Sequence, residues 1–179
     1  SSESDPYAGS SPHAETLEQR ALALWRLANG QGDIVLLTAR ALARRVVSPT
    51  EIRNAGAGLK VGDWRPLGEL VDSLIASGYA REEPVSGIGE FSMRGGILDV
   101  WSPGHANPVR IEFFGDEIDS IREFDPETQL STVQLNDVAV APMRELTARV
   151  RDFRDWADFA RLRWSDEVFA RSLKDRTMF

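Results

Sequence analysis

The sequence predicts an α+β protein: a small, twisted antiparallel sheet of two hairpins packed with helices and flanked by part of an incomplete α/β layer. Two observations predict the sheet and its helix. Two pairs of alternating segments, each joined by a glycine-containing dipeptide, lie between residues 90 and 122, and a helical apolar stripe lies between residues 67 and 75. The order helix, apolar run, helix near the N-terminus predicts the fragment of an α/β layer.

Residues 14–29 are expected to form the first helix, because apolar side chains recur there at helical spacing. The wholly apolar run at residues 34–37 is typical of a buried strand. Thr38 is suited to cap a short helix that continues through Arg45. Because a lone strand cannot close a core, we expect the neighbours of this strand to be missing from the chain.

A second structural unit is expected to begin near Gly56. Residues 57–61 should form a strand, and a helix should start at Pro66, with Asp63 ahead of it, and stop at Gly78. The apolar stripe that predicts this helix consists of Leu67, Leu70, Val71, Leu74 and Ile75.

Two predicted hairpins follow, each with a two-residue loop in which glycine supplies a positive φ angle. They join residues 90–94 to 97–101 through Gly95-Gly96, and residues 109–114 to 117–122 through Gly115-Asp116. Because side chains alternate along a strand, each hairpin presents one apolar face to a core. The residues expected on this core face are Phe91, Met93, Leu98, Val100, Val109, Ile111, Phe113 and Ile118.

The opposite face of each hairpin mixes charged and aromatic side chains. It carries Arg94, Asp99 and Trp101 in the first hairpin, and Arg110, Glu112, Phe114 and Asp119 in the second. The loop predicts Glu112 opposite Asp119, a like-charge pair that Arg110 and Arg122 could offset. Two interpretations remain open. Arginine and exposed aromatics are typical of an interaction surface, but the arginines could equally pair with neighbouring acids while the aromatics lie beneath the next element.

The composition argues against several classes of function. There is no cysteine and there are two histidines, His13 and His105, so a dedicated metal site is not expected. The formal net charge is −7 and the arginines are scattered, which argues against strong DNA binding through phosphates. No Gly-x-x-x-x-Gly-Lys-Ser/Thr loop is present to hold nucleotide phosphates. No apolar run approaches the roughly 18 residues that cross a membrane.

Longer motifs carry a resemblance to known proteins. The segments GEFSMRGGILDVWSPG (89–104) and PVRIEFFGDEIDSIREFDPETQLS (108–131) closely resemble a stretch shared by two families of bacterial repair proteins. These are the UvrB excision-repair helicases and the transcription-repair coupling factors, or Mfd family. In SPHAETLEQR (11–20), Ser-Pro-His followed seven residues later by Arg20 resembles the coupling factors and differs from UvrB. The resemblance covers about residues 7–145.

The resemblance implies a three-part organisation. Residues 1–55 would be part of a truncated UvrB-like α/β domain, residues 56–141 an inserted UvrA-binding domain, and residues 142–179 the helical start of the following, truncated UvrB-like region. It also implies a cytoplasmic parent protein that recruits UvrA to RNA polymerase stalled at DNA damage. The polymerase contacts and the motor that uses ATP and magnesium would lie in other parts of that parent, leaving this chain without a cofactor.

The resemblance further implies a set of partner-binding residues. The positions carried over from the family as UvrA contacts are Arg94, Arg110 and Phe114, together with Glu112 and, more loosely, Arg81, which match contacts of UvrB. Ser92 departs from the pattern, since UvrB has a further arginine there, and this puts one expected salt bridge in doubt.

Three hypotheses follow: a docking module for UvrA, a DNA-binding fragment of a UvrB-type helicase, and an ATPase domain, which the missing phosphate loop disfavours. Under the docking hypothesis, Arg110→Ala and Phe114→Ala are expected to change stability by no more than about 0.5 kcal/mol, because both positions lie on the face away from the core. Each change should nevertheless weaken UvrA binding.

Overall fold

The computed structural model describes residues 14–32, 34–147 and 150–164. Contacts divide the chain into two units, with the boundary between Leu146 and Thr147. The helices are α1 (Ala14–Ala28), α2 (Ala39–Leu42), α3 (Pro49–Ala55), α4 (Leu67–Ser77) and α5 (Val150–Trp164). The strands are β1 (Ala57–Lys60), β2 (Ala80–Arg81), β3 (Glu90–Arg94), β4 (Ile97–Val100), β5 (Val109–Phe114), β6 (Glu117–Phe124), β7 (Ser131–Leu135) and β8 (Asp137–Val140).

The main sheet has six strands in the order β2-β3-β4-β5-β6-β7, antiparallel throughout except for the parallel pair β2–β3. Both predicted hairpins are confirmed, since Arg94 pairs with Ile97 and Phe114 pairs with Glu117 across two-residue loops. Gly95 and Gly115 adopt φ angles of 59° and 64°, which glycine reaches without steric cost. The α+β fold class predicted from the sequence is therefore confirmed.

One face of the six-stranded sheet forms the main hydrophobic core together with α4. The predicted core-face residues are fully buried at Phe91, Leu98, Val100, Val109, Ile111 and Ile118, and partly buried at Met93 and Phe113. From α4, Leu70 and Leu74 join the same cluster, as the helical stripe predicts. The helix starts one residue later than expected, with Pro66 as its N-cap.

Strands β1 and β8 form a separate two-stranded antiparallel sheet, which brings Ala57 opposite Val140. Leu59, Val138 and Val140 extend the main core from this sheet. The Tyr79 hydroxyl donates to the Ala141 carbonyl at 2.6 Å, so the chain just after β8 is tied to the end of α4. Strands β2, β7 and β8 were not predicted from the sequence, because their partners are set by tertiary contacts.

The expected pairing of Glu112 with Asp119 is wrong. A register shift in the β5–β6 pair places Glu112 opposite Ser120, while Phe113 still pairs with Ile118. Asp119 is the extra residue of this β-bulge and is exposed. The bulge removes a like-charge pair from the ladder, and the simple two-residue-loop register could not anticipate it.

The expected strand at residues 34–37 is also wrong. These residues form no strand, and Leu36 is 93% exposed. No strand elsewhere in the described part of the chain lies beside them to accept backbone hydrogen bonds, and a lone strand is not stable. The Thr38 cap is confirmed, because its side chain accepts from the Ala41 amide, but α2 ends at Leu42 and not at Arg45.

Helix α3 was missed by the sequence analysis, although its start is encoded locally. The Ser48 side chain accepts from the Glu51 amide at 3.2 Å, and the Glu51 carboxylate accepts from the Ser48 amide at 2.8 Å. This reciprocal arrangement is a capping box, with Pro49 at the first helical position. Ile52 of α3 packs with Trp25 of α1 in a second small core.

We predict that Ser48→Ala lowers the free energy of unfolding by about 1 kcal/mol, because it removes the side-chain acceptor of this capping box. Thr38→Ala is the matched control, because Thr38 also caps a helix but α2 contains no buried residue. The control should lower the free energy of unfolding less than Ser48→Ala does. Urea denaturation of both variants measures the difference. Equal losses in the two variants, or no loss in either, would contradict the prediction.

Helix α5 belongs to the second unit and lies within the predicted part 142–179. Phe153 and Trp156 meet edge to face, with ring centroids 5.3 Å apart. Ala157 and Ala160 are buried. The Ser-Pro-His motif and residues 165–179 lie outside the described residues, and the three-part division of the chain stays a prediction. Among the described residues, no helix is long and apolar enough to cross a membrane.

Candidate docking surface

The face of the six-stranded sheet opposite the core is here called the mixed face. Strand register places one polar row across it, in which Asp99 of β4 lies between Ser92 of β3 and Arg110 of β5, followed by Arg122 of β6. The residues that define this face are Ser92, Arg94, Asp99, Arg110, Glu112, Phe114, Ser120 and Arg122.

A bidentate ion pair holds the centre of the mixed face. Arg110 Nε and Nη2 donate to the two carboxylate oxygens of Asp99 at 2.7 and 2.8 Å, and Asp99 is only 2% exposed. The guanidinium also lies 4.7 Å from the centroid of the buried Phe124 ring. The hydrogen bonds to Asp99 raise the pKa of the Arg110 guanidinium above its ordinary value, because they stabilise its charged form. Arg110 is thus a fixed cation on a preorganised surface.

This geometry argues against the expectation that Arg110→Ala leaves the fold nearly intact. The side chain of Arg110 is largely buried and is the main partner of a buried carboxylate. Removing Arg110 would leave the buried Asp99 charge with only the 3.4 Å contact to Arg94, and breaking a buried pair in this way is strongly destabilising. Alternation along β4 predicts Asp99 on this face but not its role, because the pattern within one hairpin does not show how two hairpins align.

Arg94 is held much more loosely. Its side chain is 53% exposed, with Nη2 at 3.4 Å from Asp99 and Nε at 3.6 Å from Glu83. Both members of the pair with Glu83 are exposed, and exposed ion pairs of this kind contribute about 0–1 kcal/mol. Arg94 could therefore reorient toward a carboxylate on another molecule at little cost in folding stability.

Glu112 is held by β6. Its Oε2 atom accepts from the Ser120 hydroxyl at 3.0 Å and from Arg122 Nη2 at 3.2 Å. The like-charge pair that Arg110 and Arg122 were expected to offset does not form. Arg122 pairs with Glu112 alone, and Arg110 is hydrogen bonded to Asp99. Phe114, the next residue on this face of β5, is 84% exposed, and no element within the described ranges covers it.

Of the five residues predicted to contact a partner, the structure brings together Arg94, Arg110, Glu112 and Phe114. Arg81 stands apart at the β2 edge, paired with the core residue Phe91, and its Nη2 donates to the Met93 carbonyl at 3.3 Å. Ser92 is buried opposite Asp99. An arginine at this position would meet the same carboxylate that already binds Arg110.

The side chains of the mixed face divide into paired and solvent-facing groups. Arg110 and Arg122 pair with neighbouring acids, and Trp101 is partly buried and donates to the His105 carbonyl at 3.2 Å. Phe114 and Arg94, in contrast, leave an aromatic ring and a cation facing solvent. Among the described residues, no group of three or more histidine or acidic side chains could hold a metal ion.

A sheet face with a fixed ionic centre and an exposed aromatic has a composition typical of protein-interaction surfaces. Residues 58–146 match the family described as the UvrB interaction domain, and this part of the chain therefore belongs to that family. The mixed face lies wholly within these residues.

The resemblance to the transcription-repair coupling factors is also confirmed. The chain is 39% identical over 142 residues to the coupling factor of Myxococcus xanthus. It is 36% identical over 140 residues to that of Haemophilus influenzae, and 38% identical over 136 residues to that of Bacillus subtilis. These matches cover 75–79% of the chain but only 12% of each relative. The chain is thus homologous to a small region of the coupling factors.

Proposed function

We propose that this chain is a non-catalytic docking module that binds UvrA through the mixed face. One observation carries the proposal. A solvent-facing ring, Phe114, and a preorganised ion pair, Asp99–Arg110, lie on the same sheet face inside a UvrB interaction domain. In the parent protein the module recruits UvrA, in the cytoplasm, to RNA polymerase stalled at DNA damage. Polymerase contacts belong to other parts of that parent.

The charges of the mixed face suit recognition of an acidic and partly apolar surface. Arg94 can offer its planar guanidinium to a carboxylate through two parallel hydrogen bonds. Phe114 supplies apolar area that water leaves on docking, and aromatic side chains, phenylalanine included, are enriched at protein interfaces. Arg110 contributes its fixed charge, and Glu112 orients the neighbouring Arg122. Arg81 contacts the rim of the partner at the β2 edge.

The module needs no cofactor of its own under this proposal. The ATP and magnesium chemistry of the parent belongs to its motor domains. Binding to UvrA should therefore occur without nucleotide on this side of the interface.

We predict that the chain and UvrA elute together in size-exclusion chromatography at micromolar concentrations. Separate elution would contradict the docking function.

DNA titration at about 150 mM salt tests the UvrB-type alternative, since phosphate contacts give a steep salt dependence. Sub-micromolar duplex binding there would favour the alternative, and ATP hydrolysis by the chain would contradict its non-catalytic role.

A further inference from the structure

The six-stranded sheet continues for one more short segment beside β6. The Arg65 amide donates to the Asp116 carbonyl at 2.6 Å, and the Ile118 amide donates to the Asp63 carbonyl at 2.9 Å. These two bonds flank an antiparallel bridge between Trp64 and Glu117. The loop before α4 is thus part of the sheet at the end where β5 and β6 turn.

The bridge places Trp64 in one row with the exposed ring of the mixed face. Glu117 pairs with Phe114 on one side and with Trp64 on the other. Directly paired residues of antiparallel strands share a face, so all three side chains lie on the same side of the sheet. Two strand spacings separate the aromatic residues, which is about 10 Å between their backbones.

Trp64 is unusually exposed for its size, at 69%. Between residues 57 and 146, Trp64 and Phe114 are the two aromatic members of the set of exposed large hydrophobic side chains. Tryptophan is among the residues most enriched at binding hot spots. Its exposed ring has a large apolar area, and burying that area against a partner would be favourable. Its position beside Phe114 makes it continuous with the mixed face.

We propose that Trp64 and Phe114 are paired aromatic anchors on either side of Glu117, and that both contact the same partner. The inference rests on the proposed function and adds a residue and a charge requirement to it. The row Trp64–Glu117–Phe114 fits a UvrA surface that presents a cationic side chain between two apolar depressions. The opposite end of the mixed face, at Arg94, fits an acidic group, so the partner surface changes sign along the sheet.

Isothermal titration of UvrA with the whole chain and its variants tests this pairing. Trp64→Ala should weaken binding at least tenfold, while Trp64→Phe should retain most of the affinity. The matched control is Ile75→Ala, because Ile75 is an exposed apolar residue on α4, outside the mixed face. It should change the dissociation constant by less than about twofold, as expected for a residue outside the interface. Thermal melts of all variants should match that of the unmodified chain.

The outcomes separate this inference from the proposed function. If the unmodified chain does not bind UvrA, the docking function itself is wrong. If it binds, and Phe114→Ala weakens binding while Trp64→Ala does not, only the anchor role of Trp64 is wrong.

Glu117→Lys tests the charge requirement in the same assay. It should weaken binding more at low salt than at high salt, and an unchanged affinity would overturn the cationic group on the partner.

Discussion

Arg110→Ala is expected to lower the free energy of unfolding by about 3 kcal/mol and to abolish measurable UvrA binding. Asp99 is buried, and its carboxylate would keep only the long contact with Arg94. Breaking a buried ion pair by removing one partner typically costs about 3–5 kcal/mol. We expect a loss near the lower end of this range, because the contact between Arg94 and Asp99 remains. Arg94→Ala is the matched control. Its contact with the same carboxylate is long, at 3.4 Å, and Asp99 would keep both hydrogen bonds from Arg110, so the change should cost less than about 1 kcal/mol.

A double variant distinguishes stability from recognition. Asp99→Leu combined with Arg110→Met removes both charges and fills similar volume, which is often close to neutral for stability. We expect urea denaturation to show that the double variant regains most of the stability lost by Arg110→Ala. Its UvrA binding should stay weak, because the fixed cation is gone. Full stability of the single variant would mean that the Asp99–Arg110 pair does not hold this face together.

Phe114→Ala and Phe113→Ala should have opposite effects although the residues are adjacent. Phe114 projects into solvent from the mixed face, so its removal should leave the thermal melt unchanged. UvrA binding should weaken at least tenfold, which corresponds to a loss of about 1.4 kcal/mol in binding free energy. Phe113 packs against the main core, and its removal opens a cavity that should cost about 3 kcal/mol of stability.

Thermal melts and binding curves on both variants measure this contrast. A low melting temperature for Phe114→Ala together with a normal one for Phe113→Ala would reverse the two faces of β5. Equal binding by Phe114→Ala and the unmodified chain, with both folded, would remove Phe114 from the docking surface.

Local patterns determined much of the sheet from the sequence. Alternation along residues 90–94 and 109–114 assigned the core and mixed faces correctly, because side chains on a strand must alternate and one face must be buried. Glycine at positions 95 and 115 located the hairpin turns through the positive φ angles that the turns require. Family motifs then pointed to an interaction domain, which the comparisons confirm.

The tertiary structure decided what depends on distant neighbours. The apolar run at residues 34–37 has a strand's composition, but a strand forms only where another offers hydrogen bonds, and the described residues provide none there. The bulge at Asp119 and the bridge between Trp64 and Glu117 likewise depend on how segments align in space.

The sequence by itself therefore determined which residues face away from the core, since that follows from a period of two along each strand. Only the tertiary structure decided what those residues do there. It joined Asp99 of one hairpin to Arg110 of the other, which made Arg110 a structural cation as well as a candidate contact. It also left Phe114 exposed in line with Trp64, because the sheet gains an extra segment at that end.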